Sequence, residues 1–352
     1  MTVFYVVLAI LLFGVLIFVH EFGHFFTAKL FGVRVNEFSL FMGPAIWKKQ
    51  RGETLYALRC IPIGGYCAME GEDGESDDPR AFGKAKVWKR LIILVAGAFM
   101  NFLTGFLITV IFTSVFFQSY LPGTQISGFM DGCPYASETG FRAGDVLYSI
   151  DGERVYIQND FDMLLDRNAS QVYDIVVLRD GEKVALEDFE LKLLDYDGEQ
   201  KFGFLIAARE KTVGGVLSYS WNSCRDFARL VRMGIEDLLT GRAGVSEMSG
   251  PVGIVSVVTE QGKQSETVGL GILNVLYLFA FIAVNLAVMN LLPIPALDGG
   301  RVVCLLVTAA AEKILRRKIN PKYEGYLNAG FMIVLLALMV LITFKDIFSL
   351  FS

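Results

Sequence analysis

Charged residues are scarce in this sequence. Only 20% of its 352 residues are Asp, Glu, Lys or Arg, whereas 53% are hydrophobic, and the mean hydropathy is +0.48. A soluble domain of ordinary composition carries more charge, so membrane-spanning segments are expected. The net charge of −5 provides no basic stripe for binding nucleic acid, and nucleic acid is therefore not an expected partner.

Cysteine and histidine are also few. The five cysteines are scattered and none forms a CxxC pair, so neither a cysteine zinc cage nor a redox motif is expected. We interpret them as half-buried free thiols. Histidine occurs only twice, as His20 and His24, and both lie in the sequence HEFGH.

Four long apolar runs without charged residues can each cross a membrane. They lie at residues 2–19, 91–117, 270–297 and 326–344. Each is long enough for about 30 Å of hydrocarbon at about 1.5 Å per helical residue. The first run has no preceding basic segment and no cleavage pattern after it, which favours a permanent span over a signal peptide. A fifth run at 302–311 is too short to span and is expected to be interfacial or buried.

Basic residues indicate the orientation of these spans. The loops after the first and third spans are rich in Lys and Arg, which places both loops in the cytoplasm. By alternation, both termini and the long segment between the second and third spans then lie outside. His20 and Asp298 are consequently expected at similar depth, near the cytoplasmic face.

The sequence HEFGH has the spacing of a zinc site. His20 and His24 are one helical turn apart, so their imidazoles face the same side and can hold one zinc ion. Glu21 can take a proton from an attacking water without binding the metal. A chance match is the alternative, but three such residues inside a span would cost several kcal/mol if they had no role.

A catalytic zinc needs a third protein ligand, and the chain has no third histidine. The best-placed oxygen ligand is Asp298, in the sequence NLLPIPALDGG. Pro293 and Pro295 break the helix before it, which is tolerated at membrane depth where the chain lines a cavity. The alternative is that Asp298 caps a helix starting near Gly299. Asn290, in the same segment, could bond the substrate backbone or the developing oxyanion.

These motifs resemble the site-2-protease family of intramembrane zinc metalloproteases, and most closely its bacterial, RseP-like branch. The resemblance rests on HEFGH, on the NxxPxxxxDG pattern from Asn290 to Gly299, and on IPIGGY, AGAFMNF and SGPVGI. It implies that His20, His24 and Asp298 bind Zn²⁺ and that Glu21 is the catalytic base. Ala98 departs from the proline that the family often has there.

The resemblance implies a polytopic α-helical membrane protein with four transmembrane helices, an inserted extracytoplasmic PDZ domain of β-rich α/β structure and a membrane-associated β-hairpin loop. The expected segments are a first span at 1–31, a cytoplasmic loop with re-entrant β-hairpins at 32–90, a second span at 91–117, the PDZ domain at 118–200, an extracytoplasmic linker at 201–268, a third span at 269–298, a cytoplasmic loop at 299–325 and a fourth span at 326–346.

Residues 38–66 are unusually apolar for a cytoplasmic loop, and Gly and Pro divide them into short strand-like pieces. In the family this segment is a hairpin near the active site, where an edge strand could hold an unwound substrate by strand addition. The alternative is an amphipathic loop on the membrane surface.

Residues 123–194 alternate with period two, and GFRAGD resembles the PDZ domains of bacterial surface proteases. No carboxylate-binding loop of the Gly-Leu-Gly-Phe type is evident, and ISGFMDG is the nearest candidate. Capture of a peptide C-terminus and a purely steric role both stay open.

The expected activity is hydrolysis of peptide bonds within transmembrane segments of single-span membrane proteins, such as anti-sigma-factor-like regulators and signal-peptide remnants, after a first extracytoplasmic cut. The expected location is the bacterial inner or plasma membrane. Two alternatives are a membrane scaffold with an inactive site and a metal transporter. The intact HEFGH and Asp298 disfavour the scaffold. The transporter is disfavoured because the second and fourth spans lack ionisable groups.

Overall fold

The computed structural model describes residues 2–72, 74–168, 170–242, 244, 248–316 and 322–349. The chain divides into two compact units. The helical unit comprises residues 1–109 and 227–352, and the sheet unit comprises residues 110–226.

Helices long and apolar enough to cross a membrane occupy all four predicted spans. They are α1 (Thr2–Leu30), α2 (Val87–Phe116), α6 (Val268–Asn290) and α8 (Lys322–Ser349). The remaining helices of the described chain are α3 (Gln158–Asp166), α4 (Val213–Thr240), α5 (Pro251–Lys263), α7 (Asp298–Leu315) and a short 3-10 helix at Phe82–Lys84. The predicted linker 201–268 thus contains the whole of α4 and of α5.

The third span ends earlier than predicted. Helix α6 stops at Asn290, and Asp298, the predicted end of that span, is the first residue of α7. Pro293 and Pro295 cannot donate a backbone hydrogen bond and disfavour helix before them. Ala296 has a positive φ of 77°, which also interrupts the helix. Most of the predicted loop 299–325 is accordingly helical.

Helices α1, α5 and α6 pack closely around Tyr5. This side chain is fully buried, in a core that includes Leu16, Val258 and Phe279. A Cβ added at Gly262 would lie 2.5 Å from the Tyr5 ring. The absence of a side chain at that glycine therefore lets α5 approach α1, as small residues do between membrane helices.

Strands β1 (Val35–Arg51) and β2 (Thr54–Met69) form an antiparallel hairpin that folds back on itself. Glu37 pairs with Ala68 on one side and with Leu55 on the other, and the second half of β1 pairs with the far side of the first half of β2. The spatial order is therefore 45–51, 54–59, 35–40 and 65–69. The run 65–69 is an edge, because no strand among the described residues pairs with its outer side.

The sheet unit contains an antiparallel sheet in the order β10, β3, β4, β6, β7, with β5 beside β4. Its strands are β3 (Tyr120–Phe129), β4 (Val146–Ile150), β5 (Glu153–Arg154), β6 (Val172–Arg179), β7 (Glu182–Glu190) and β10 (Phe204–Glu210); β8 (Leu194–Tyr196) and β9 (Glu199–Lys201) pair separately. Because β10 pairs with β3, this folded unit extends past Gln200, the predicted end of the PDZ domain. The sheet begins and ends at neighbouring points, since the Lys211 amide donates to the Ser119 carbonyl at 2.9 Å.

Candidate metal centre

The two histidines of α1 and the first residue of α7 meet at one point. The Nε2 atoms of His20 and His24 lie 3.3 Å apart, and each lies 3.3 Å from Oδ2 of Asp298. These side chains are 9–16% exposed, so the cluster is largely shielded from solvent. The structure therefore brings together the three residues that the sequence predicts as metal ligands.

The imidazole of His24 is oriented by α2. Its Nδ1 donates to the backbone carbonyl of Ile93 at 2.8 Å. The ring proton is therefore on Nδ1, and the lone pair of Nε2 points into the cluster. This is the tautomer that a metal ligand requires.

The imidazole of His20 also contacts α2. Its Nδ1 lies 3.3 Å from the Asn101 amide nitrogen, and the buried Oδ1 of Asn101 has no hydrogen-bond partner. The oxygen and nitrogen of an amide are interchangeable in shape. With the amide turned over, Oδ1 accepts the proton of His20 Nδ1, which leaves Nε2 free for a metal.

The cluster fits a zinc ion. A triangle with 3.3 Å sides has its centre about 1.9 Å from each corner (3.3 divided by √3), close to the about 2.0–2.2 Å at which zinc binds nitrogen and oxygen. The buried Asp298 Oδ2 has no hydrogen-bond partner, although it faces the lone pair of His24 Nε2. A cation between these atoms satisfies both groups.

Two glycines allow α1 and α2 to approach at this point. A Cβ added at Gly23 would lie 2.5 Å from the carbonyl oxygen of Ala96, and one added at Gly97 would lie 2.3 Å from His24 Nε2. Neither distance is compatible with a side chain. The position of His24 against α2 consequently depends on glycine at both residues.

The cluster opens into a cavity of about 810 Å³. Its wall includes Glu21, the edge run 65–69 of β2, and residues of α7 and α8. Glu21 is half-buried, and a Cβ added at Gly65 would lie 3.0 Å from its Cγ. The hairpin therefore passes close to Glu21 because residue 65 has no side chain.

An ion pair closes another part of the cavity wall. Arg301 of α7 donates to the Glu72 carboxylate at 2.5 Å, and the same carboxylate accepts the Met69 amide at 3.1 Å. The end of the hairpin is thereby connected to the helix that carries Asp298. On α8, Asn328 accepts the Ala296 amide through its Oδ1 at 3.3 Å.

Asn290 is less directly placed than the other predicted residues. It is the last residue of α6 and is half-buried. The described residues that line the cavity do not include it. Asn101, Glu72 and Arg301 are not among the site residues that the sequence predicts. Asn101 could have been noticed as a polar residue within an apolar span.

Four membrane-length helices and a buried His-His-Asp cluster beside a glutamate define the chain as a membrane-embedded zinc-dependent protease. The model of peptidase family M50 matches residues 8–338, and the chain belongs to this family of site-2 proteases. The predicted resemblance and the predicted zinc cofactor are thus confirmed.

Relatives that match nearly the whole chain carry names that agree with this family. A candidate zinc metalloprotease of Clostridium perfringens is 35% identical, covering 97% of this chain and 98% of the relative. The regulator of sigma-W protease RasP of Bacillus subtilis is 26% identical, covering 98% and 99%. The zinc metalloprotease RasP of Shouchella clausii is 28% identical, covering 97% and 98%.

Proposed function

We propose that this protein hydrolyses peptide bonds within transmembrane segments of single-span membrane proteins. The observation that carries the proposal is the His20–His24–Asp298 cluster beside Glu21, in a cavity walled by apolar helices and a strand edge. In this proposal His20, His24 and Asp298 bind zinc, and Glu21 is the catalytic base.

Zinc bound there supplies Lewis acidity that polarises the peptide carbonyl and lowers the pKa of water to about 7. Glu21 takes the proton of the attacking water and delivers it to the leaving amine. Its half-buried carboxylate lies next to the cluster without being part of it, which suits a base better than a ligand. Asn290 is proposed to bond the substrate backbone or the oxyanion.

A helical substrate hides its peptide bonds within its own hydrogen bonds, so it must be locally unwound. The outer side of the edge run 65–69 pairs with no strand of the described chain, and it lies along the cavity wall beside Glu21. We propose that the unwound substrate adds to this edge as a further strand, which replaces the hydrogen bonds that its helix loses. Apolar surroundings make such replacement necessary.

The printed name of the Bacillus subtilis relative, a regulator of sigma-W protease, supports substrates of the anti-sigma-factor class. Signal-peptide remnants are short apolar helices of similar chemistry and are proposed as a second class. We place the enzyme in the bacterial inner or plasma membrane, with the site near the cytoplasmic face and both termini outside.

The sheet unit is proposed to be an extracytoplasmic PDZ domain. A large folded outer domain of a substrate would collide with it, whereas a trimmed substrate would not. We therefore propose that cleavage follows a first extracytoplasmic cut.

Glu21→Gln tests the catalytic role. The variant should stay folded and hold about one zinc per chain, because the proposed ligands are unchanged. Cleavage of a model single-span substrate in nanodiscs should fall by at least about 100-fold, as expected for loss of a general base. Glu75→Gln, which alters an exposed carboxylate of the same unit, is the matched control and should cleave normally.

Substantial turnover by Glu21→Gln would exclude the base role. A scaffold would bind the substrate without cutting it in the wild type. A transporter would move zinc across liposomes and leave the substrate intact. Treatment with a chelator should stop cleavage if the proposal holds, and readdition of zinc should restore it.

A further inference from the structure

Glu72 connects the end of strand β2 to helix α7. Its carboxylate accepts a hydrogen bond from the Met69 amide at 3.1 Å and another from the Arg301 guanidinium at 2.5 Å. The Glu72 side chain is only 10% exposed and the Arg301 side chain 21%, so solvent screens this ion pair weakly. The last residue of β2 is thereby joined to the helix that begins with Asp298.

The same two elements also share an apolar core. Met69 of β2 and Leu305 of α7 are both buried in one cluster, against which Val302 of α7 packs as well. Arg301 is the only ion-pair partner of Glu72 in the described chain. Loss of the charge on either side would therefore leave a largely buried charge uncompensated at this junction, which strongly disrupts such contacts.

The opposite end of the edge run 65–69 lies against α1. A Cβ added at Gly65 would lie 3.0 Å from Cγ of Glu21 and 3.1 Å from Cγ2 of Ile17, so the backbone passes directly over this helix. Helix α1 carries both histidines of the His-His-Asp cluster, and α7 carries its aspartate. The edge run is consequently fixed at each end to a helix that provides part of the cluster.

This double attachment sets the position of the edge relative to the cluster. All five residues of the edge run 65–69 line the catalytic cavity, and so do Glu72 and Arg301. Successive residues of an added strand face opposite ways, and a slip by one residue, about 3.3 Å, turns every side chain to the other face. The position of the edge therefore decides which peptide bonds of an added strand face the cluster.

We propose that Glu72 and Arg301 are positioning residues that hold the edge run 65–69 in place and thereby determine which peptide bond of an extended substrate is cut. The inference rests on the proposed protease function and on strand addition to this edge. With the ion pair intact, bonds of one orientation lie at the cluster. With the pair broken, the end of the run near Met69 shifts, and the neighbouring bond reaches the cluster as well.

The test uses the whole chain in nanodiscs and a single-span substrate whose apolar core alternates leucine and alanine. In an extended chain of this pattern all leucine side chains face one way, so Leu–Ala and Ala–Leu bonds have opposite orientations. Mass spectrometry of the products identifies each bond that is cut. The wild type should cut one kind of bond at least about tenfold more often than the other, because a one-residue slip exchanges the two faces.

Glu72→Gln keeps an acceptor for the Met69 amide but removes the negative charge, and Arg301→Gln removes the positive charge. Each variant should cut the two kinds of bond about equally often, a loss of about tenfold in preference, because a buried ion pair that loses one partner is disrupted. Arg301→Lys keeps the charge and should keep most of the preference. The double variant should match the single variants, since both changes break the same pair.

Glu70→Gln is the matched control. It removes a carboxylate two residues from Glu72 whose partners are the Asn36 amide and the Ser76 hydroxyl, and it should keep the wild-type preference. Zinc content and circular dichroism monitor metal binding and folding of all variants. If Arg301→Gln loses zinc, Glu72→Gln decides the result, because Glu72 is not on the helix that carries Asp298.

The inference is overturned if zinc-loaded Glu72→Gln keeps the wild-type preference, even at a lower rate, since the pair then contributes only to stability. It is also overturned if Glu70→Gln loses the preference as well, or if the wild type cuts both kinds of bond equally. The wild type still cleaves in each of these results, so the proposed protease function stands. Failure of the zinc-loaded wild type to cleave any single-span substrate would overturn both.

Discussion

Both histidines of the candidate site are oriented by α2 rather than by their own helix. Ile93 accepts from His24, and Asn101 contacts His20 from two turns further along α2. Such outer contacts fix the tautomer and the ring orientation of a ligand. The affinity for zinc should therefore depend on residues that never touch the metal.

Asn101→Ala should lower zinc affinity by about 10–100-fold, the range found when outer-shell partners of metal ligands are removed. Asn101→Asp keeps an acceptor for His20 Nδ1 and should recover most of the loss. Competition with a chromophoric chelator measures this without any assay of activity. Asn274→Ala, which removes an amide of α6 bonded to Ser265 in the segment between α5 and α6, is the control. Equal affinity of Asn101→Ala and wild type would show that His20 does not need this contact.

The site residues that could be predicted from the sequence are those that a short sequence motif identifies. His20, Glu21 and His24 follow from spacing on one helix, and Asp298 follows from a charge between broken helix and glycines. The roles of Asn101, Glu72 and Arg301 depend on contacts between segments that are far apart in the chain. No local sequence pattern predicts the contact between residues 72 and 301. The requirement for glycine at Gly97 is likewise a property of the helix crossing.

At the scale of elements, long apolar runs locate α1, α2, α6 and α8 because a bilayer demands about 20 apolar residues in a row. The end of α6 was misplaced, since apolar residues continue past Asn290 although the prolines stop the helix. Strand β10 was missed as part of the sheet because its partner β3 is about 80 residues earlier in the chain.

A buried ion pair connects two strands of the sheet unit. Asp145, just before β4, accepts two hydrogen bonds from the Arg179 guanidinium at the end of β6, at 2.8 and 2.9 Å. Burial by itself would raise the pKa of the Asp145 carboxyl, but the bonds from Arg179 and from the Arg142 amide outweigh it and hold the pKa below its usual value.

The depressed pKa fixes the sign of a pH effect. The ionised pair contributes its full stability above the unfolded pKa of about 3.9, and the contribution is lost as the pH falls through the lower folded value. Asp145→Asn should destabilise the sheet unit by about 3–5 kcal/mol, since it leaves Arg179 without its charge partner. It should also remove this component of the acid sensitivity.

Hydrogen exchange of amides in β4 and β6 between pH 3 and pH 7 measures both effects locally. Asp131→Asn, an exposed carboxylate of the same unit, should retain the wild-type profile. An unchanged profile in Asp145→Asn would mean that the pair contributes nothing to stability in this pH range.

At the scale of the whole molecule, the basic loops predict that the hairpin is cytoplasmic and the sheet unit extracytoplasmic. A reporter inserted at Gly52, in the exposed turn between β1 and β2, should fluoresce as green fluorescent protein and be inactive as alkaline phosphatase. Insertions at Gly198 and after Ser352 should give the reverse result.

Gly181 provides a second insertion point in the sheet unit, in the turn between β6 and β7. A reporter inserted there should indicate the same side of the membrane as the reporter at Gly198. If Gly52 and Gly198 report the same side, the proposed orientation is wrong. A cytoplasmic reading after Ser352 alone would leave α8 without a crossing.

The bond between Ser119 and Lys211 has an evolutionary meaning. This hydrogen bond joins the backbone where the chain enters the sheet to the backbone where it leaves the sheet. The residues between them therefore form an insertion whose two ends are adjacent. Recombination can lengthen, duplicate or exchange such an insertion without moving the flanking chain ends. An exchange of the sheet unit in this way would leave the residues of the metal centre unchanged.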